Sequence, residues 1–503
     1  MNFTQKLCLL SAVAVLGLML LLNFHSGPRN DSSTQQNLML YCAAGVKPAV
    51  IKAALAFEER YDVNIELQYG GSGTLLNNLQ VAKTGDLYLA ADASFCDIAK
   101  EKGLVAETLP LANMKAVIAV QTGNPKNIKT LADLLRKDVR LSLGNPKAAS
   151  IGKQSKTLLQ QSGLWEEVKR EVEDRGVFKP TVPEVANDVK IGAVDAAIVW
   201  DATVQQYPEL EAIEIPEWDH ANKVITIGVL KSSSKATLAL RFARFLNSTE
   251  GNDIFNAEGF RAIEGDQWSW TPDLTFFCGS VNRRAVEGIL NDFSKREGVT
   301  INTIYNGCGI LTAQMKTIRL DKGGVGFPDF YMACDRYYLD NVIDWFQEDI
   351  DISDTPIVIA VPEGNPKQVK GVEDLTKPGV KVAVGQCDQC TIGALTRTLL
   401  EHEGMYGQVK KNVATETATS SLLVPAVTTK SVDAAFAFYT DTLAESNKVD
   451  SISIPSNRSL AVQPYAISKF SKHKYIGRRL KNTIIANREA FEKAGFNFRA
   501  AQP

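Results

Sequence analysis

Histidine is scarce in this sequence, four in 503 residues, and His25, His220, His402 and His473 are scattered along it. No close-spaced histidine motif for metal can be drawn from them. Net charge is just as scarce: Lys+Arg 55 against Asp+Glu 57 leaves −2. A chain so balanced offers no basic footprint for nucleic acid and no general pull toward anionic lipid. A Walker loop, a Ser/His/Asp order and a paired-acid motif are also missing, which argues against an enzyme. Lys153 and Asp201 are the nearest to catalytic candidates, and both read better as solvated or ion-paired. Uncharged apolar runs of membrane length are missing except for one, Leu7 to Leu22. That run reads as an export or anchor segment. No small-x-small site follows it, only Asn23-Phe24-His25, which favours an uncleaved anchor. Cys8 opens the run rather than closing it, unlike a lipoprotein cysteine. Lys6 belongs on the cytoplasmic side and everything after Arg29 outside, in a periplasmic or extracytoplasmic space. Residues 27–37 form a polar tether.

The rest of the chain says most things twice. Tyr41-Cys42 returns as Phe277-Cys278, and YGGSGTLLNNL from Tyr69 returns at the same spacing as YNGCGILTAQM from Tyr305. Farther on, VIAVQTGNPKNIKTLADL from Val117 matches VIAVPEGNPKQVKGVEDL from Val358, and VDAAIVW from Val194 matches VDAAFAF from Val432. Preserved order over whole halves indicates a tandem duplication. The expected division is 1–37 for the N-terminal segment and tether, 38–268 for one module and 269–503 for the other. The junction falls between Asp266 and Pro272, where a Trp-rich connector meets a helix-breaking proline.

Within a module, short apolar runs alternate with helical patterns. Leu38 to Cys42, Val63 to Tyr69, Leu87 to Ala90, Val117 to Val120, Arg140 to Leu143 and Ala196 to Trp200 read as strands. Pro48 to Tyr61 and Thr130 to Arg136 read as helices. The alternation predicts an α/β fold with mostly parallel sheets, whose ligands sit beyond the carboxyl ends of the strands. Glycine-rich loops fall at those ends: Ala44-Gly45, then Gly70-Gly71-Ser72-Gly73-Thr74, then Gly144-Asn145-Pro146 leading to Ser150-Ile151-Gly152. Glycine lets backbone approach a ligand, and free amides at helix starts favour an anion.

With these residues in hand, the sequence resembles the molybdate-binding proteins of ABC transporters, within the type II periplasmic binding fold. The likeness is carried by the CAAG loop at Cys42, GGSGTL from Gly70, GDLYLAADAS from Gly85, VIAVQTGNP from Val117, LADLLRKDVRLSLGNP from Leu131 and VDAAIVWDA from Val194. It covers nearly all of 38–260, and the second module follows the frame more loosely. The resemblance implies two tandem modules, each of two α/β lobes closing about a hinge near Val117 to Val120 and Ile213 to Pro216. It further implies a small tetrahedral oxyanion, of the molybdate or tungstate class, held by neutral donors and passed to an ABC permease. The implied binding residues are Ala44, Gly45, Gly71, Ser72, Gly73, Thr74, Ser150, Ile151, Gly152, Trp200 and Asp201. Two depart from the family: Gly45 stands where a serine is usual, and Trp200 where a tyrosine is usual. Asp201 would add an acceptor suited to a protonated anion or a cation.

Cysteine is concentrated in the second module: Cys278, Cys308, Cys334, Cys387 and Cys390, all at strand ends or in loops expected to face one cleft. Disulfides, inert buried thiols, or a soft-metal site for Zn²⁺ or Cu(I) all fit that pattern. In the first module Cys42 and Cys96 are a further candidate disulfide. The alternative to uptake is a non-transport receptor or metal-handling protein whose second module binds a soft metal through these thiols.

Overall fold

The computed structural model describes residues 36–318 and 324–501. The apolar run Leu7 to Leu22 and nearly all of the tether lie outside the described residues. Within them no helix is long and apolar enough to cross a membrane. The tether gives way to structure two residues before its expected end, because Gln36 and Asn37 already pair with Val63 and Asn64.

The strands of the first module are β1 (Gln36–Ala43), β2 (Val63–Gly70), β3 (Leu87–Ala90), β4 (Val105–Met114), β5 (Ala116–Gln121), β6 (Leu141–Gly144), β7 (Val177–Lys179), β8 (Ala196–Trp200), β9 (Leu210–Ile213), β10 (Lys223–Leu230) and β11 (Arg261–Ala262). They form two sheets, β11-β4-β10-β3-β1-β2 and β7-β6-β8-β5-β9, one to a lobe. The central strands β3, β6 and β8 are buried at every position, which is why they read as unbroken apolar runs. The helix Lys47–Tyr61 turns Ala49, Val50, Ala53, Ala54 and Phe57 to the core at helical spacing, with a proline in its first turn. It stops at Asp62, whose φ of 53° is left-handed.

The sheets are mixed rather than mostly parallel. In each lobe the strand arriving from the other lobe, β10 in one and β5 in the other, runs against its neighbours. The outward crossing passes from β4 to β5 through Lys115 alone. Of Val117 to Val120, expected near the hinge, all four pair with β8 and Ile118 to Val120 also with β9. Ile213 to Pro216 do lie on the return crossing from β9 to β10. The pattern from Thr130 to Arg136 closes only as a 3-10 turn, Leu131–Leu135, under a Thr130/Asp133 capping box.

The second module repeats this plan with β12 (Asp273–Gly279), β13 (Thr300–Asn306), β14 (Phe330–Met332), β15 (Phe346–Pro362), β16 (Val382–Gly385), β17 (Val413–Thr417), β18 (Ala434–Phe438), β19 (Val449–Ser453), β20 (Leu460–Ser468) and β21 (Asn497–Phe498). Here the outward crossing is a single strand, β15, which belongs to both lobes. The modules are joined by more than the connector. Arg296 grips Glu107 through two hydrogen bonds of 2.6 and 2.7 Å, and the Asp266 carboxylate accepts from the Tyr475 and Ile476 amides at 2.8 and 3.0 Å. Connector residues Trp268 and Trp270 pack on Phe57 and Tyr61 of the first module.

Candidate functional site

Five chain segments meet between the lobes of the first module. One lobe brings Ala43-Ala44-Gly45 from the end of β1, Gly70-Gly71-Ser72 from the end of β2 and Ala91 after β3; the other brings Ala149-Ser150-Ile151 and Thr181-Val182. The four longer ones lead into helical starts: Ala44–Val46 running on into Lys47–Tyr61, then Ser72–Ala82, Ser150–Gln161 and Val182–Lys190. First-turn amides lack partners within their own helix and carry partial positive charge. Four such ends around one space give it a lining whose dipoles favour negative charge, and no charged side chain lines it. The space between the lobes is small in this arrangement, with room for about one water molecule.

Ser72 is the best-placed side chain. It is 1% exposed, and its Oγ accepts from the Ala91 amide at 3.1 Å, which leaves its own proton free to donate. Its carbonyl in turn accepts from Tyr88 at 2.7 Å, fixing the helix start. Ser150 is buried opposite it, at the head of its helix.

Other expected ligands have different duties. The Gly73 and Thr74 amides donate to the Ala148 carbonyl of the opposite lobe, at 2.8 and 3.3 Å, and so hold the lobes shut instead of facing a ligand. Gly152 packs on β6, where a Cβ would sit 2.4 Å from the Gly144 oxygen. Trp200, 1% exposed, does not line the space; its ring lies behind Gly45, 3.9 Å from where a Cβ there would be. Asp201 ion-pairs with Arg261 and accepts from the amides of Lys115 and Ala202 at 3.0 and 2.9 Å. These contacts tie it to Lys115, at the crossing between the lobes, and it is not among the residues that line the space. Lys153 bridges the lobes by donating to Ser94 Oγ at 2.8 Å. Cys42 and Cys96 are free thiols in separate core clusters, so no disulfide joins them. Burial pushes the Cys96 thiol up to about 12, as for an inert core residue.

Thr181 and Val182 line the cleft and were not singled out in the sequence. The signal was there in Lys179-Pro180-Thr181-Val182-Pro183, a threonine N-cap followed by proline in the first helical turn. Val182 also explains Gly45, because a Cβ at Gly45 would lie 2.5 Å from Val182 Cγ1. The second module reverses the pair: Val281 stands at the Gly45 position and Ser420 at the Val182 position. Replacing Gly45 by valine should therefore hinder closure by about 1–3 kcal/mol, and adding Val182→Ser should recover most of it. Calorimetric affinities of the single and double variants measure both effects.

The second cleft keeps the frame and changes the lining. Cys308 occupies the place of Ser72 and takes the same bond, accepting from the Cys334 amide at 3.0 Å where Ser72 accepts from Ala91. The two sulfurs are 3.1 Å apart. Room for them comes from Gly279, where a Cβ would be 2.2 Å from Cys334 Sγ and 2.8 Å from Cys308 Sγ; the first module has Ala43 there. Burial pushes the Cys308 thiol up, but the Cys334 thiol and amide, Thr391 and Tyr331 outweigh it and hold it below its ordinary value. Cys334 is driven well above its own by the bond to Cys308 and by burial.

The five cysteines do not converge. Cys278 is enclosed among core strands with its sulfur near the Gly279 oxygen, and Cys387 lies in a separate hollow with Arg397 and Tyr406. Cys390 is buried at the start of the helix Thr391–His402. Among the described residues no group of three or more His, Cys, Asp or Glu is spaced to hold a metal ion.

The family model for bacterial extracellular solute-binding proteins matches the chain twice, over 38–261 and 274–497. The molybdate-binding protein ModA of Mycobacterium bovis is 26% identical over 239 residues, which are 47% of this chain and 88% of that protein. ModA of Escherichia coli is 23% identical over 240 residues, 46% of this chain and 91% of that protein. The periplasmic molybdate-binding protein of Azotobacter vinelandii, a solved structure, aligns at a TM-score of 0.40 and 16% identity over 44% of this chain and 98% of its own. Two family matches in tandem, each covering a two-lobed module with a cleft, show that the chain belongs to the bacterial extracellular solute-binding proteins.

Proposed function

We propose that the chain is the extracytoplasmic binding component of an ABC-type uptake system, and that its first module captures a tetrahedral oxyanion of the molybdate or tungstate class. The observation that carries this reading is the meeting of four helix starts and two buried serines around a space without charged side chains. Such a site holds a dianion by dipoles and hydrogen bonds without a matching cation. Relatives named for molybdate binding support the same class. Closure about Lys115 would be the signal that a permease reads, with Leu7 to Leu22 as the expected membrane tether.

Isothermal titration of the full chain with molybdate, tungstate, sulfate and phosphate tests the assignment. Molybdate and tungstate should bind at least about 100-fold more tightly than sulfate. Ser72→Ala and Ser150→Ala should each lose about 10-fold or more, as expected for hydrogen bonds to a charged group. Heat from phosphate alone, with none from molybdate or tungstate, would overturn the oxyanion assignment.

A further inference from the structure

The second cleft has been recut around two sulfurs. Relative to the first module, Ser72 has become Cys308, Ala91 has become Cys334, and Ala43 has become Gly279, the change that makes room for both. All three changes fall on one lobe wall, facing a buried hydroxyl from the other lobe: Thr391, 2% exposed, which with Tyr331 turns its hydroxyl toward the Cys308 sulfur. Neither hydroxyl has another partner among the described residues. Two buried hydroxyls held only by one sulfur are free to turn to a ligand bound there.

We propose that this second cleft is a dithiol site for a thiophilic, trivalent metalloid oxyacid, with arsenous acid as the type ligand. The clamp frame is that of an oxyanion binder, and the two thiols supply the covalent contact that a molybdate-type site lacks. The capture is a condensation. Arsenous acid, As(OH)₃, loses two As–O bonds and gains two As–S bonds to Cys308 and Cys334. Each thiol proton leaves with a displaced hydroxide as water, and no atom changes oxidation state. The remaining As–OH is left for Thr391 and Tyr331 to meet.

Sulfur spacing favours this ligand over zinc. With Zn–S bonds of about 2.3 Å, a tetrahedral zinc holds its sulfurs about 3.8 Å apart. Cys308 and Cys334 stand at 3.1 Å, nearer the narrow pyramid of a three-coordinate metalloid. No third ligating side chain completes a metal cage among the described residues. The proposal concerns the second cleft alone and does not depend on which anion the first one takes.

Native mass spectrometry of the full chain, isolated without reductant and then titrated with sodium arsenite, tests it. One arsenic per chain should add with the loss of two waters. Cys308→Ser and Cys334→Ala, each restoring the first module's residue at that place, should weaken the adduct at least about 100-fold. Cys387→Ser should leave it unchanged. An unchanged charge-state distribution and an unfolding midpoint close to that of the unaltered chain show that a variant is folded, whatever anion the first module takes. The proposal is overturned by the absence of an adduct at millimolar arsenite, by an adduct of equal strength in both variants, or by a Cys308–Cys334 disulfide in the isolated chain.

Discussion

Replacing Gly71 by valine should cost the first module at least about 100-fold in molybdate affinity while leaving its thermal stability within a degree or two. Gly71 has φ −69° and ψ 146°, ordinary extended backbone that valine prefers, so nothing in its conformation requires glycine. The requirement comes from the opposite lobe. A Cβ at Gly71 would lie 2.4 Å from both the Ala148 and the Pro180 carbonyl oxygens. Neither oxygen belongs to a flexible side chain that can swing aside. With the lobes apart the new side chain would meet solvent, so the penalty is expected on closure alone. Relieving it by holding the lobes apart also removes the Gly73 and Thr74 bonds to Ala148. A loss of about 3 kcal/mol from these terms corresponds to about 100-fold in affinity. Calorimetry gives the affinity, and small-angle scattering should show that molybdate no longer contracts the variant. Wild-type affinity in the variant would mean that the lobes do not close as described.

The second large effect is on stability, at Glu297. This residue ends the helix Arg283–Glu297, is 1% exposed, and is clasped by Arg479, whose Nε donates to its Oε1 at 3.0 Å. Arg244 of the first module adds a second buried guanidinium, none of whose nitrogens has a hydrogen-bond partner among the described residues. Burial pulls Arg244 down to about 10, and the Glu297 carboxylate opposes that fall. One carboxylate thus serves two enclosed cations across the module junction. Glu297→Gln keeps the shape and removes the charge, which should cost about 3–5 kcal/mol, the usual loss when a buried pair is broken from one side. For modules of this size the unfolding midpoint should fall by about 10 °C in differential scanning calorimetry. Molybdate affinity at temperatures where the variant is folded should not change, since Glu297 lines neither cleft. A fall of under about 2 °C would mean that solvent already neutralises these arginines.

The duplicated frame was legible because repeated loops such as YGGSGTL and YNGCGIL carry order as well as composition. Strands buried on both faces were legible as well: Leu87–Ala90 and Ala196–Trp200 have the bounds their apolar runs give. The crossing strands were harder. β4 carries intermediate positions and an internal proline, and its link to β5 through Lys115 leaves no turn signal. In the cleft, sequence reasoning marked the right loops but not the direction of each amide. Gly71 and Ser72 line the space, whereas Gly73 and Thr74, one step along the same helix, are committed to Ala148. Such a choice depends on a partner about 75 residues away, Ala148, which no local pattern reports. Asp201 shows the same limit: Arg261 and Lys115, which occupy it, come from other elements. For the cysteines, proximity in loops overstated convergence, since alternate residues of a strand face opposite sides of the sheet.

The central claim, an anion clamp in the first module beside a thiol-lined second one, is tested most directly by anomalous diffraction. Crystals of the full chain grown with molybdate should be measured on both sides of the molybdenum absorption edge. The account predicts one anomalous peak between the lobes of the first module, within hydrogen-bond reach of Ser72 and Ser150, and none in the second cleft. A molybdenum peak beside Cys308 and Cys334, or no peak between Ser72 and Ser150, would contradict it.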